Sequence, residues 1–330
     1  MNFVKRCLLI IMALMVEASA SYQPEEAFII YWGDGEDQFE FLGPTFNDDG
    51  TPEDSTDDDI YPGAGPSDAF IDKDGNVVIS SYEFRQIKCF APDGHLVFSF
   101  SPQETQNFDS ICWDRPSSIY VDSNALIYVG SFEPMHYVPV VDYSGVLLDK
   151  LYPFADTAHC LISFISWSPD GRLYFKQRDG IWVSYHDGEF AKTGWAGLLA
   201  SDGYFYSARA DEDFPYTLFI SRCGEVDSLG NAGYEYTMEI NLGHDSLSYA
   251  EELLGGDGNN VYVYAGIYPD SFYRDVIWVY DLNFNKVDEL MFPLEEEESY
   301  LSIMPFVSAA GDIYEFRFLH DGLHVIKWKK

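Results

Sequence analysis

The chain has 330 residues, with 19 basic against 55 acidic side chains and a net charge of −36 at pH 7. So acidic a surface lacks the Lys and Arg that displace counterions from phosphate, which excludes nucleic acid and anionic lipid headgroups as partners. Cations, basic proteins and neutral ligands remain, and the acid also keeps an aromatic-rich chain in solution.

Residues 1–20 read as a secretory signal peptide. Lys5 and Arg6 precede an apolar run from Cys7 to Val16, and Ala18-Ser19-Ala20 supplies the cleavage pattern. The run is too short to span a bilayer, and no later stretch approaches that length. Export to the periplasm or the medium is expected, with cleavage near Ala20. Next, Ala27–Gly33 (AFIIYWG) is apolar and reads as a strand. Residues 47–59 (NDDGTPEDSTDDD) hold no apolar anchor and read as a solvated acidic loop.

From Pro66 onward the chain repeats one pattern. An apolar strand is followed by an Asp- or Gly-bearing turn, a second strand, a looser loop, a third strand and another turn. PSDAFIDKDGNVVISSYEFRQIKCFAPDGHLVFSF (66–100) is the first copy and PSSIYVDSNALIYVGSFEPMHYVPVVDYSGVLLDKL (116–151) the second. Further copies begin at Cys160, Ala196, near Tyr249 and at Tyr300. The stretch 230–248 reads as an insertion between the fourth and fifth copies. A period of roughly 50 residues with four short strands per copy predicts a β-propeller. The turns DKDGN, SPDGR and GDGNN carry the residues that accept positive φ, and runs such as VVIS, LIYVGS and VYVYA suit strands packed between sheets. The last copy ends after its third strand, at HVIKWKK. The predicted fold is therefore all-β: a six-bladed propeller of four-stranded antiparallel blades, with Ala27–Gly33 closing the ring on the last blade.

The first copy, with Asp72-Lys73-Asp74-Gly75-Asn76, Arg85-Gln86-Ile87 and Phe90-Ala91-Pro92-Asp93-Gly94, resembles the NHL repeat. The second keeps Pro116, Ile119, Val121-Asp122 and Asp142-Tyr143-Ser144-Gly145 but lacks the central Asp-Gly and the Arg, and later copies keep only the rhythm. The resemblance implies a propeller of the NHL or TolB-like kind. That fold serves exported binding proteins, lactonases and an amidating lyase, so it does not select a function.

Propeller sites usually lie at one mouth of the central channel. On the face carrying the loops between second and third strands, the candidate ligand-binding residues are Glu83, Arg85, Glu133, His136 and His159. Arg178, Asp213, Tyr273, Arg274 and His320 complete the set. Acid, Arg and aromatic groups together suit recognition of a protein or a small neutral or cationic ligand. The leading reading is thus a non-enzymatic binding or scaffold module, monomeric, needing no cofactor. The alternative implied by the resemblance is a lactone hydrolase or lyase dependent on calcium or zinc. His136 and His159 are the pair available for zinc, and Asp72-Lys73-Asp74-Gly75 resembles part of a calcium loop but lacks the downstream Glu. No G-x-S-x-G, H-E-x-x-H or P-loop occurs. Cys89, Cys112, Cys160 and Cys223 remain after cleavage, and the matching phase of Cys112 and Cys160 suggests a bond between neighbouring blades.

Overall fold

The computed structural model describes residues 22–41, 65–81, 84–101, 116–131, 137–153, 162–167, 172–177, 182–193, 198–200, 202, 204–210, 217–226, 232–241, 246–250, 255–268, 274–293, 303–308, 310–319 and 321–329. Among them there is no helix, and so none long and apolar enough to cross a membrane. The chain opens with β1 (Gln23–Tyr31). The first repeat gives β2 (Pro66–Ile71), β3 (Val77–Ser81), β4 (Gln86–Phe90) and β5 (Leu96–Phe100). The second gives β6 (Pro116–Val121), β7 (Ile127–Ser131), β8 (Val138–Val141) and β9 (Leu147–Leu151). β10 (Ile162–Trp167), β11 (Leu173–Gln177), β12 (Trp182–His186) and β13 (Glu189–Thr193) form the third. The fourth holds β14 (Leu198–Leu199), β15 (Phe205–Ala210), β16 (Thr217–Val226) and β17 (Ala232–Asn241). In the fifth, β18 (Ser246–Ala250) and β19 (Gly255–Gly256) both pair β20 (Asn260–Tyr268), followed by β21 (Arg274–Asp281) and β22 (Lys286–Met291). β23 (Phe306–Val307), β24 (Ile313–Leu319) and β25 (Gly322–Lys329) end the chain.

Each repeat is one antiparallel sheet whose strands lie in chain order, six sheets among the described residues. The first strands of neighbouring sheets meet: β23 against β2, β2 against β6, β6 against β10, and β19 against β23. Sheets arrayed side by side through their first strands are the blades of an all-β propeller. The last blade takes its fourth strand from the other end of the chain, since β1 pairs β25 with Gln23 opposite Lys329 and Tyr31 opposite Gly322. This is the closure expected from the missing strand, displaced toward the N-terminus relative to Ala27–Gly33. Phe28 and Ile30 bury their side chains here, while Gln23 to Glu26 lie exposed and pair through backbone. Polar groups brace the same seam: His324 contacts Glu26 at 3.0 Å and Asp321 at 2.9 Å, and Glu25 pairs Lys329.

One expectation is corrected. The stretch 230–248 is not an insertion: it supplies β17, paired along β16 from Thr217–Asn241 to Val226–Ala232, and the start of β18. Tyr234, Tyr236, Met238 and Ile240 alternate with Glu235, Thr237 and Glu239, a period of two that suits an outer strand.

A single turn design recurs where strands reverse. At Asp72, Asp122, Asp142 and Asp281 the Asp N–H donates to the carbonyl four residues on, and the residue three on donates back to the Asp carbonyl. The carboxylate then accepts from two further N–H groups, as Asp72 Oδ1 does from Asp74 and Asn76, both at 2.8 Å. The fourth position must be left-handed: φ is 83° at Gly75, 62° at Ala125, 76° at Gly145 and 65° at Phe284. Asp-x-x-Gly is the cheapest sequence for that three-residue hairpin. It also explains Asp72-Lys73-Asp74-Gly75 fully as a turn. Glycine serves the seams as well: a Cβ on Gly94 would lie 2.9 Å from Phe28 Cβ, and one on Gly145 would lie 2.8 Å from Phe100 Cγ.

Candidate ligand cleft at the channel mouth

The turns joining first to second strands gather at one end of the sheets. Around them four blades enclose a cavity of about 920 Å³. Its wall is aromatic in part because Phe70 and Tyr120, each two residues before a turn Asp, and Phe306, two before Ser308, meet across neighbouring blades. Phe70 sits between Tyr120 and Phe306, edge-on to both, with ring centroids 5.1 and 5.0 Å away. Tyr128, Tyr185 and Tyr314 extend the wall. All but Tyr185 of these six are buried, so the rings are held by packing before any ligand arrives.

The rim is acidic, with five aspartates against two lysines. Asp72 holds its turn and also accepts the Tyr143 hydroxyl of the next blade at 2.7 Å. Asp122 holds its own turn and accepts the Tyr128 hydroxyl at 3.3 Å. Burial pushes the Tyr143 and Tyr128 phenols well above their ordinary range, and the adjacent carboxylates add to it. Both therefore stay protonated and donate. Lys73 Nζ donates to Ser123 O of the next turn at 2.7 Å. Lys327 Nζ meets Asp312 at 2.7 Å and lies 5.3 Å from the Tyr314 ring centroid. Asp74 and Asp187 stand exposed on the lip, Asp187 with φ 49° and 3.5 Å from His186.

Deeper along the first strand, Asp68 sits at a bulge where β2 slips against β3. Its Oδ2 accepts the Ile119 N–H of the next blade at 2.9 Å. Although Asp68 as a residue is only partly buried, this oxygen is bonded into the seam between blades, and desolvation there raises its pKa from 3.8 to about 7 against the pull of the Ile119 and Ala69 N–H groups. The equivalent residue of the second repeat is Ser118, whose buried hydroxyl has no hydrogen-bond partner among the described residues.

Of the residues singled out from sequence, Arg85 and Arg274 are described, and both lie at the opposite end of the sheets, between second and third strands. Arg85 lies in the turn after β3 with φ 54°, half-buried. Arg274 opens β21 and directs Nη1 to Met291 Sδ at 3.5 Å, so it is committed to its own sheet. These two occupy the first and fifth blades. Glu83, Glu133, His136, His159, Arg178, Asp213, Tyr273 and His320 lie outside the described residues, as do Cys112, Cys160 and the acidic loop 47–59. Cys89 is buried with a free thiol. Among the described residues no three His, Cys, Asp or Glu side chains converge as metal ligands. The aromatic cleft was missed because each contributing segment reads as an ordinary turn. Its signal was the aromatic residue two before the turn Asp, in Phe70-Ile71-Asp72 and Tyr120-Val121-Asp122.

No family model and no curated protein matches the chain. Solved structures with a similar course exist at low identity. Virginiamycin B lyase from Staphylococcus aureus gives a TM-score of 0.45 at 12% identity, over 88% of this chain and 98% of that one. A calcium-binding protein, regucalcin from Agrobacterium tumefaciens, gives 0.46 at 13% over 80% and 90%. A member of the DUF4221 family from Bacteroides vulgatus gives 0.46 at 9% over 93% and 97%. The fold assignment rests on the strand pairing described above, and these likenesses assign no activity.

Proposed function

We propose that the protein is an exported, non-enzymatic binding propeller that takes a small ligand, or a side chain of a protein partner, into the cleft at the turn face. One observation carries this reading. The cleft combines preformed aromatic walls with carboxylates already engaged, Asp72 and Asp122 in their turns and Asp312 with Lys327. A carboxylate holding two backbone N–H groups is a poor general acid or base, because moving its proton would cost the turn. Walls of packed rings with few directed polar groups are instead what small-ligand sites use.

Native mass spectrometry of the mature protein, purified from the exported fraction and screened with amines, sugars and basic peptides, tests the reading. A stoichiometric adduct lost on Tyr120→Leu supports it. A tightly held zinc or calcium ion, whose removal abolishes a measurable lactonase or lyase activity, would replace it with the enzymatic alternative. N-terminal sequencing of the exported protein should begin just after Ala20.

A further inference from the structure

The aromatic and acidic surfaces of this cleft narrow the ligand class. We infer that it binds an organic cation, an ammonium or quaternary ammonium group carried on an apolar body. This rests on the ligand-cleft reading above and specifies it. Three observations carry it. First, six aromatic residues line the cavity in a packed array, with Phe70 edge-on to Tyr120 and Phe306, and a cation over an aromatic face is attracted by the ring quadrupole. Second, the protein already seats an ammonium at this site: Lys327 Nζ lies against the Asp312 carboxylate and over the Tyr314 ring, both of which line the cavity. A ligand cation entering beside Phe70 and Tyr120 meets the same chemistry. Third, five rim aspartates outnumber the two rim lysines, of which Lys73 is held on Ser123 O and Lys327 on Asp312. Asp74 and Asp187 meanwhile stay exposed on the lip. The rim field is therefore negative within a chain of net charge −36, and it draws cations in.

The apolar body follows from the size of the cavity. A bare metal ion leaves most of about 920 Å³ unfilled, and among the described residues no three His, Cys, Asp or Glu side chains converge to hold it. An anion is repelled at the lip, and a neutral apolar molecule gains nothing from Asp74 or Asp187.

Calorimetric titration of the full mature protein with benzyltrimethylammonium, benzyl alcohol and benzenesulfonate separates these classes at constant ring size. The cation should bind at least about tenfold tighter than either comparison compound, because only it gains both the ring faces and the carboxylates. Raising salt should weaken it, and Asp74→Asn or Asp187→Asn should each cost about threefold, because exposed lip charges act through a screened field. Tyr120→Leu should remove binding, with unfolding curves checking that the variant folds; the lip variants test the idea independently because both sites are exposed. Equal affinity for benzyl alcohol and the cation, both lost in Tyr120→Leu, overturns the cation inference while upholding a ligand cleft. No binding of any of the three also overturns it, and the ligand-cleft reading then stands or falls on the mass-spectrometric screen alone.

Discussion

Asp68 gives the sharpest test of the energetics at the blade seam. Replacing it with Asn keeps an oxygen to accept the Ile119 N–H and removes the titration. The folded carboxyl holds its proton to about 7, whereas the unfolded chain releases it near 3.8. Between those values the unfolded state binds fewer protons, so stability falls as pH rises through the window and the loss is complete above it. A displacement of that size corresponds to about 4 kcal/mol. Because the residue keeps some exposed surface, solvent screening reduces this to about 2 kcal/mol. Urea unfolding of both proteins should therefore give equal stabilities at about pH 4, and at about pH 8 the Asp68→Asn variant should be the more stable by about 2 kcal/mol. Other titrating groups cancel in the difference. Parallel pH–stability curves for the two proteins would refute the reasoning, since they would mean the seam does not desolvate the carboxyl.

Four other outcomes follow from packing and burial. Phe28→Ala and Ile30→Ala in the closing strand remove side chains 8% and 2% exposed, and each should cost about 3 kcal/mol in urea unfolding. Deleting Gln23–Tyr31 should abolish a single cooperative transition, because β25 then presents a bare edge. Gly94→Ala places a methyl 2.9 Å from Phe28 Cβ at φ +86°, so it should destabilise by about 2 kcal/mol, and less when combined with Phe28→Ala. Burial, aided by the nearby Asp72 charge, pushes the Cys89 thiol to about 12; a thiol reagent at neutral pH should leave it untouched in the native protein and label it on unfolding.

What could be read from the sequence is what local chemistry dictates. The turns at Asp72 and Asp142 were legible because a carboxylate, a glycine and flanking β-branched strands are all written within a few residues, whereas the left-handed residue at Asp281 is Phe284 and gives no such signal. The closure was legible because three strands at the C-terminus leave an edge that something must cover. Its register was not: Gln23, Pro24, Glu25 and Glu26 are exposed and pair through backbone and charged side chains, so no apolar pattern marks where β1 begins. The strand Ala232–Asn241 went unrecognised because glycines flank it and Glu235 and Glu239 interrupt its apolar run, although the alternation of Tyr234, Tyr236, Met238 and Ile240 was there to count. The cleft was the least legible feature, since four blades each contribute part of it and only the ring geometry brings Phe70, Tyr120 and Phe306 together.

The same Asp residues make the blades and charge the cleft, and this coupling has consequences. Asp72 closes a hairpin, receives Tyr143 from the next blade, and lines the mouth. The hydroxyl of Tyr128 does the equivalent within the second blade by meeting Asp122. A propeller that builds its turns from carboxylates places negative charge wherever those turns converge, as those of Asp72 and Asp122 do at this cleft. The acidity of the mouth is thus a by-product of hairpin chemistry before it is a binding device. Substitutions at Asp72 or Asp122 cannot weaken the field without also loosening a turn. Specificity is then free to change at an exposed lip residue such as Asp74, where ligand preference and stability come apart.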